Sequence, residues 1–272
     1  MKFNIAIIGS GTSGAGAALF LHKEGHHVTI FERESKPGPV GAGIMLQPTG
    51  LKMLSELGIS KKAEELGTKI QGMSGKNKNQ TVLDLSFKNR FQLTGLGIHR
   101  GALFNILYQE LKNQNIEIIL DAEVRQIMDL DNKKAIVDKH KRLFDGFDLV
   151  VVANGSSSAL RTNLEVDQIE IDRKQEWGAL WTKIPCPNNF FEGRIQQFYD
   201  GSQKLLGLMP IGKSSKDSEE FVNFFWSIRI DRVEEWKKKG VVAFHKEAKA
   251  LIPEKYHFLI DQIELDLSLI HI

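Results

Sequence analysis

Cysteine is nearly absent from this sequence, and neither sign of charge is in excess. The single cysteine, Cys186, excludes disulfide bonds within the chain and predicts a reducing, cytoplasmic location. Lysine and arginine number 36 against 34 acidic residues, so the basic surplus of proteins that bind nucleic acid is missing. No apolar run approaches the roughly 20 residues that a membrane-spanning helix needs. We therefore expect no nucleic-acid partner and no transmembrane segment.

What the sequence contains favours a globular α/β protein. Hydrophobic residues make up 42% of the 272 positions and charged residues 26%, a composition that excludes disorder and a coiled coil. This length allows one large domain or two ordinary domains.

The first 35 residues carry the clearest pattern. Residues 3–8 form an apolar run typical of a buried parallel strand, residues 9–14 have the sequence GSGTSG, and residues 15–21 are mostly small or apolar. Residues 27–31 predict a second strand. A strand, a glycine-rich turn, a helix and a second strand together make one βαβ unit.

The GSGTSG turn matches the dinucleotide-binding motif in the context that this motif requires. Gly9 permits the tight turn, Gly11 lets a pyrophosphate approach the backbone, and Gly14 lets the helix and the strand pack closely. The pyrophosphate is expected at the N-terminus of the helix, where Thr12 and Ser13 form the first turn.

Glu32 follows the second predicted strand, at the spacing of about 20 residues where an acid accepts hydrogen bonds from ribose hydroxyls. Its negative charge opposes a 2′-phosphate, which argues against NADP at this site. The motif predicts an adenine dinucleotide but does not separate NAD from FAD.

Helical and strand patterns alternate along the rest of the chain. Residues 48–67 look helical, with Gly58 as a stop, and residues 70–97 suggest antiparallel strands. A helix over 101–113 precedes short strands over 117–120, 123–129, 135–137 and 148–153. The remaining patterns predict strands over 177–184, 194–199, 204–209 and 221–230, then helices over 233–239, 242–250 and 254–263.

Three further segments follow the glycine loop in a fixed order. Glu32-Arg33 precedes GAGIMLQPTG at residues 41–50, GIHRGAL occupies residues 97–103, and DLVVVANGSSSALR occupies residues 148–161. With these motifs the sequence resembles the aromatic-ring hydroxylases of the para-hydroxybenzoate hydroxylase type, which are single-component FAD-dependent monooxygenases. The resemblance covers about residues 3–265.

The resemblance implies a set of FAD contacts beside the glycine loop, Glu32 and Arg33. Gly43 belongs to a glycine-rich segment that lies near the isoalloxazine in the family, and Arg100 matches an arginine that contacts the phosphate and ribityl region. An Asp-Gly motif followed by Ser and Arg, near the flavin and the nicotinamide, is matched by Asn154, Gly155, Ser158 and Arg161.

Asn154 departs from the aspartate that is usual in the family. Its amide keeps an acceptor and gains two donors, but it lacks the negative charge. The resemblance therefore supports ribose contacts at Asn154 and leaves a role in flavin reduction open.

The resemblance also implies the architecture. We predict a Rossmann-like FAD-binding domain, formed by residues 1–70 and 98–175, interleaved with a mostly antiparallel β-sheet substrate domain, formed by residues 71–97 and 176–264. Candidate substrate-lining residues are Trp177, Trp181, Phe198, Tyr199, Leu208 and Met209, although core packing is the better interpretation of any single one.

The implied reaction is hydroxylation of a phenolic or heteroaromatic small molecule with NADH or NADPH and O2, through a flavin C4a-hydroperoxide. FAD carries this chemistry, so no protein nucleophile and no metal are predicted, and no catalytic residue is assigned. His99 is interpreted as a structural histidine rather than a proton carrier. The alternatives are another flavin enzyme of the same fold, such as a halogenase or an isoprenoid-chain reductase, and a fragment without catalytic activity.

The last residues depart from the family pattern, in which a Gly-Asp segment follows beyond this chain. Residues 267–272, LSLIHI, equal the translation of CTG TCT CTT ATA CAC ATC, a transposon end used in sequencing libraries. Our hypothesis is that the gene was cut at a library fragment and that this tail is not native; the alternative is a genuine apolar strand. Amplification of the locus from source DNA would decide between them.

Overall fold

The computed structural model of the chain describes residues 1–39, 41–78, 80–87, 94–156, 158–162, 175–215, 218–264 and 267–271. The helices are α1 (Thr12–Lys23), α2 (Pro48–Glu56), α3 (Ser60–Leu66), α4 (Arg100–Asn113), α5 (Val233–Leu251) and α6 (His257–Ile260). In chain order the strands are β1 (Asn4–Ile8), β2 (His27–Phe31), β3 (Gly43–Leu46), β4 (Thr68–Ile70), β5 (Gly72–Asn77), β6 (Gln80–Ser86), β7 (Gly95–His99), β8 (Glu117–Ile119), β9 (Val124–Leu130), β10 (Lys133–Asp138), β11 (Leu143–Phe147), β12 (Leu149–Val152), β13 (Trp177–Pro185), β14 (Arg194–Asp200), β15 (Lys204–Lys213), β16 (Glu220–Arg229) and β17 (Ser268–His271).

The chain forms two compact units that are interleaved in sequence. Met1–Pro39 and Leu103–Asp172 make the first unit, and Val40–Ala102 and Arg173–Ile272 make the second. The predicted α/β class, with a Rossmann-like unit beside a mostly antiparallel sheet, is confirmed.

A parallel sheet of order β12-β1-β2-β8 is the centre of the first unit. The apolar side chains of β1 are buried because neighbouring elements cover them, as the continuous hydrophobic run predicts. An antiparallel sheet of order β11-β10-β9 contributes to the same core, where Phe31 meets the ring edge of Phe147 at a centroid distance of 5.9 Å. Strand β11 was not predicted, because its sequence, LFDGF, is short and broken by a glycine.

A mixed sheet of order β17-β13-β16-β15-β14-β5-β6 dominates the second unit. The pairing of β14 with β5 is parallel, and the other pairings of this sheet are antiparallel. Leu180, Phe198 and Phe224 on one face share a core with Trp236 and Phe244 of α5.

Strands β3, β7 and β4 form a separate antiparallel sheet in the second unit. Gly97 in the middle of β7 lies so close to β15 that an added Cβ would overlap the carbonyl oxygen of Pro210. Because of this packing, residues 41–70 and 98–102 belong to the same compact unit as the large sheet. The predicted domain boundaries assign these residues to the FAD-binding domain instead. The functional boundaries themselves stay a prediction.

Glycines set where the helices end. The predicted helix over 48–67 is two helices, α2 and α3, because Gly58 takes a φ of +74° between them. The two helices predicted over 233–239 and 242–250 correspond to α5, which Gly240 interrupts with a φ of 79° and a ψ of 167°. The helix predicted over 254–263 is shorter, a 3-10 turn at Glu254–Tyr256 followed by α6.

The last strand, β17, pairs antiparallel with β13, Leu269 lying opposite Leu180. Strand pairing depends on the residues present and not on their origin, so the hypothesis of a non-native tail stays a prediction.

Within the described ranges, no helix is both long and apolar enough to cross a membrane. In those same ranges, no group of three His, Cys, Asp or Glu side chains is placed to hold a metal ion.

Candidate functional site

The glycine loop joins β1 to α1 in the first unit, and two of its three glycines are packed too tightly to carry a side chain. Gly9 has a φ of +101°, and an added Cβ would lie 2.7 Å from the carbonyl oxygen of Ala153. A Cβ on Gly14 would overlap the carbonyl oxygen of Gly9. At Gly11, by contrast, a Cβ would meet no protein atom within 4 Å. The packing fits the turn at Gly9 and the close approach of helix and strand at Gly14, and it leaves Gly11 open. Approach of a pyrophosphate to Gly11 stays a prediction.

The N-terminus of α1 offers unpaired N–H groups to an anion. Gly11 precedes the helix without a side-chain cap, and no acidic residue lies in the first turn. Thr12 is half-buried and Ser13 is exposed in that turn. Because the first N–H groups of a helix have no partner within it and the helix dipole favours negative charge, this end suits a phosphate group.

Glu32 lies directly after β2 and is held against the loop. Its carboxylate accepts hydrogen bonds from the backbone N–H of Ser10 (2.8 Å), the hydroxyl of Ser10 (2.5 Å) and the backbone N–H of Glu34 (3.0 Å). Ser10 is 1% exposed and Glu32 8% exposed. The structure thus brings the predicted ribose-binding acid to the glycine loop. Arg33 is exposed, and its guanidinium forms an ion pair with Glu34 at 3.2 Å.

Asn154 follows β12 and lies beside Gly9, where a Cβ on that glycine would be 2.9 Å from the Cα of Asn154. The Oδ1 atom of Asn154 is buried and has no hydrogen-bond partner among the described residues. A buried acceptor without a donor carries a desolvation cost that a bound hydroxyl would remove. This atom fits a cofactor that presents a donor at the end of the parallel sheet.

The turn after Asn154 is built by a glycine and a buried serine. Gly155 has a φ of +91°, its carbonyl accepts the N–H of Ser158 at 3.2 Å, and the hydroxyl of Ser158 accepts the N–H of Leu160 at 3.3 Å. Arg161 is exposed in the 3-10 turn Ala159–Thr162 that follows.

Replacing Asn154 with leucine should have opposite effects on stability and on binding. Removal of the unpaired buried oxygen is expected to raise the free energy of unfolding of the FAD-free chain by about 1 kcal/mol. Loss of the acceptor is expected to weaken FAD binding by about tenfold. Urea unfolding and a flavin fluorescence titration measure the two quantities; a leucine variant that binds FAD as well as the original chain would contradict the assignment.

Gly43 and Arg100 lie in the second unit, together with Gly41. The backbone N–H of Gly43 donates to Oδ1 of the buried Asn223 at 3.1 Å, and the N–H of Arg100 donates to the carbonyl of Ala42 at 3.1 Å. Gly41 has a φ of +115°, and a Cβ there would lie 2.9 Å from Cδ of Arg100. These contacts fix the glycine segment and the arginine together. Asn223 was missed by the sequence analysis, because only the folded sheet brings it to Gly43.

His99 ends β7 opposite Gly43 and is half-buried. Burial, and then the positive charge of Lys183, hold the pKa of His99 below its ordinary value. The ring is therefore neutral at neutral pH, and the interpretation of His99 as a structural histidine stays a prediction.

Cys186 is a poor nucleophile by environment. Burial, and then the negative charge of Glu220, raise the pKa of its thiol to about 11. Since the thiolate is the reactive form, only about one thiol in a thousand is ionised at pH 8. We expect iodoacetamide to alkylate the folded chain at least about 50-fold more slowly than the unfolded chain, as followed by mass spectrometry. Equal rates would contradict the raised pKa.

Comparisons with known proteins identify the family of the chain. A family model described as FAD binding domain matches residues 2–259. Two curated relatives are squalene monooxygenase of Rattus norvegicus, 28% identical over 178 residues that make up 61% of this chain and 31% of that protein, and 3-hydroxybenzoate 6-hydroxylase 1 of Aquipseudomonas alcaligenes, 31% identical over 131 residues that make up 46% and 33%.

The fold matches a solved structure of Klebsiella pneumoniae HpxO complexed with FAD and uric acid. The TM-score is 0.77 at 17% identity, over 99% of this chain and 68% of that one. The chain spans about a third to a half of the length of the curated relatives that it matches. Since the family model covers nearly the whole sequence, the chain belongs to the FAD binding domain family that includes the FAD-dependent aromatic hydroxylases.

Proposed function

We propose that the chain binds FAD and is the cofactor-binding part of a monooxygenase that hydroxylates an aromatic small molecule with NADH or NADPH and O2. The observation that carries the proposal is the buried oxygen of Asn154, which has no hydrogen-bond partner within the described part of the chain and lies beside a glycine loop with an uncapped helix N-terminus. An acceptor without a donor at that place is what a dinucleotide with hydroxyl groups would satisfy.

The residues of the first unit would hold the cofactor. The N-terminus of α1 would bind the pyrophosphate past Gly11, the carboxylate of Glu32 would accept a ribose hydroxyl, and Asn154 would accept a further donor. Gly155, Arg161, Gly43 and Arg100 stay predicted contacts that rest on the family resemblance. When bound, FAD would supply the hydride acceptance and the oxygen activation that no side chain provides.

The large sheet of the second unit offers a surface for an aromatic ring. Leu180, Phe198 and Leu208 are in the core that α5 covers. Alternation therefore places Trp181, which follows Leu180, and Tyr199, which follows Phe198, on the other face, where both are half-buried. The hydroxyl of Tyr199 donates to Oε1 of Gln197 at 2.5 Å, and burial raises the pKa of Tyr199, which keeps its proton in place. We propose that this face orients the substrate ring and hydrogen-bonds its polar substituent.

A second candidate is oxidation of an apolar isoprenoid chain, because squalene monooxygenase is among the relatives. The aromatic and amide side chains on the sheet face favour the first candidate, since a hydroxyl and an amide suit a polar ring better than a hydrocarbon chain.

The test is a titration of the purified chain with FAD, followed by assays of NADH and NADPH oxidation with a panel of phenols, heteroaromatics and isoprenoids. Flavin fluorescence quenching with a yellow protein is expected, and oxidation that rises with one aromatic compound supports the hydroxylase. A chain that binds FAD but never oxidises nicotinamide supports the fragment alternative. Bound NAD without flavin would overturn the proposal.

A further inference from the structure

The carboxylate of Glu32 is already partly occupied by the protein. Oε2 accepts two hydrogen bonds, from the N–H and from the hydroxyl of Ser10. Oε1 accepts one, from the N–H of Glu34. Ser10 is almost completely buried, so water does not compete for its hydroxyl.

A count of acceptor positions shows what remains for a ligand. An ionised carboxylate has two oxygens with about four lone-pair positions in total. The two bonds from Ser10 fill Oε2, and the bond from Glu34 takes half of Oε1. One position on Oε1 is left, whereas an adenosine ribose presents two neighbouring hydroxyls.

We infer that the hydroxyl of Ser10 is a specificity-determining positioning group, which restricts Glu32 to a single hydroxyl of the adenosine ribose. Ser10 would act through Glu32, whose Oε2 it holds with its N–H and its hydroxyl. The inference rests on the proposed binding of FAD and deepens it, because it states how many ribose hydroxyls this site recognises.

The probes are ADP, 2′-deoxy-ADP and 3′-deoxy-ADP, each measured by calorimetry on the full chain and by displacement of FAD. If Glu32 accepts one hydroxyl, one deoxy analogue binds about tenfold more weakly than ADP, and the other binds within about twofold of ADP. The inference would be overturned if both analogues bound equally more weakly than ADP, or if both bound as tightly as ADP.

The Ser10→Ala variant tests whether the serine is responsible. When the Ser10 hydroxyl is removed, the Glu32 carboxylate regains one acceptor position on Oε2 and can rotate. It can then accept both ribose hydroxyls, so both deoxy analogues should bind more weakly than ADP. Ser10→Cys nearly keeps the size of the side chain but donates only a weak hydrogen bond, so it should also weaken the binding of both deoxy analogues relative to ADP. This variant replaces Ser10→Ala in the test if the alanine variant does not fold. Ser55→Ala, at an exposed serine of α2, is the matched control and should keep the original pattern.

The outcomes separate this inference from the proposed function. A chain that binds neither FAD nor ADP overturns both. A chain that binds ADP but loses affinity for both analogues overturns only the single-hydroxyl inference. Folded serine variants that keep the one-hydroxyl pattern show that Ser10 is not its cause and overturn the role assigned here.

Discussion

Replacing Gly14 with alanine is expected to lower the affinity of the chain for FAD by about 100-fold or more. The added Cβ would overlap the carbonyl oxygen of Gly9 and would lie 3.0 Å from its carbonyl carbon. Both are backbone atoms, so no flexible side chain can move aside, and α1 must separate from the loop. Overpacking of this kind costs about 1–3 kcal/mol, and here the displaced atoms are those that would surround the pyrophosphate.

Gly16→Ala is the control for this substitution, because Gly16 lies in the same helix and a Cβ there meets nothing within 4 Å. Alanine at that position should leave FAD binding unchanged and raise the free energy of unfolding by about 0.5–1 kcal/mol. Flavin fluorescence titrations compare the affinities, and circular dichroism confirms that both variants fold. A Gly14→Ala variant with undiminished affinity would show that close packing of the loop is not required.

Gly97→Ala should lower the free energy of unfolding of the chain by about 3 kcal/mol. The added Cβ would overlap the carbonyl oxygen of Pro210 and would also lie 3.2 Å from the side chain of Ile70. The backbone of β15 cannot retreat without disturbing its antiparallel pairing with β16, so overpacking is not relieved locally. Urea unfolding of the FAD-free chain measures the change in free energy.

The matched control in the same unit is Gly50→Ala. Gly50 is inside α2, and a Cβ there would make ordinary contacts with Leu46 at 3.7 and 3.9 Å. Alanine is the better helix former, so this variant should be as stable as the original chain or more stable by about 0.5–1 kcal/mol. Equal unfolding curves for the two variants would refute the proposed role of the contact between β7 and β15.

The predictions made from sequence succeeded where neighbours in sequence are neighbours in space. The glycine loop, Glu32 and the βαβ unit lie within 35 residues, and glycines with positive φ, such as Gly58, ended helices where they were expected. The apolar segments that became β13 to β16 were likewise predicted as strands, because a short hydrophobic run is a local signal.

The predictions failed or were missing where distant segments decide the structure. The parallel pairing of β5 with β14 joins segments more than 100 residues apart, and no local pattern specifies it. Asn223 meets Gly43 across 180 positions, so its hydrogen bond is invisible in the sequence. Ser10 sits in a variable position of the motif, and only its burial against Glu32 shows that its hydroxyl is engaged.

The pairing of β1 with β12 has a consequence for how the chain is made. Asn4 and Asp148 are joined by a hydrogen bond across 144 positions, and Ile5 lies opposite Leu149. At about 5–20 residues per second, the ribosome needs roughly 7–30 s after making β1 to make its partner. During that time the apolar strand β1 lacks one of its two neighbours. The segment of residues 40–102 also lacks its pairing strand β14, which is made later. Synthesis thus exposes an aggregation-prone strand, and we expect nascent chains to bind chaperones until β12 has emerged.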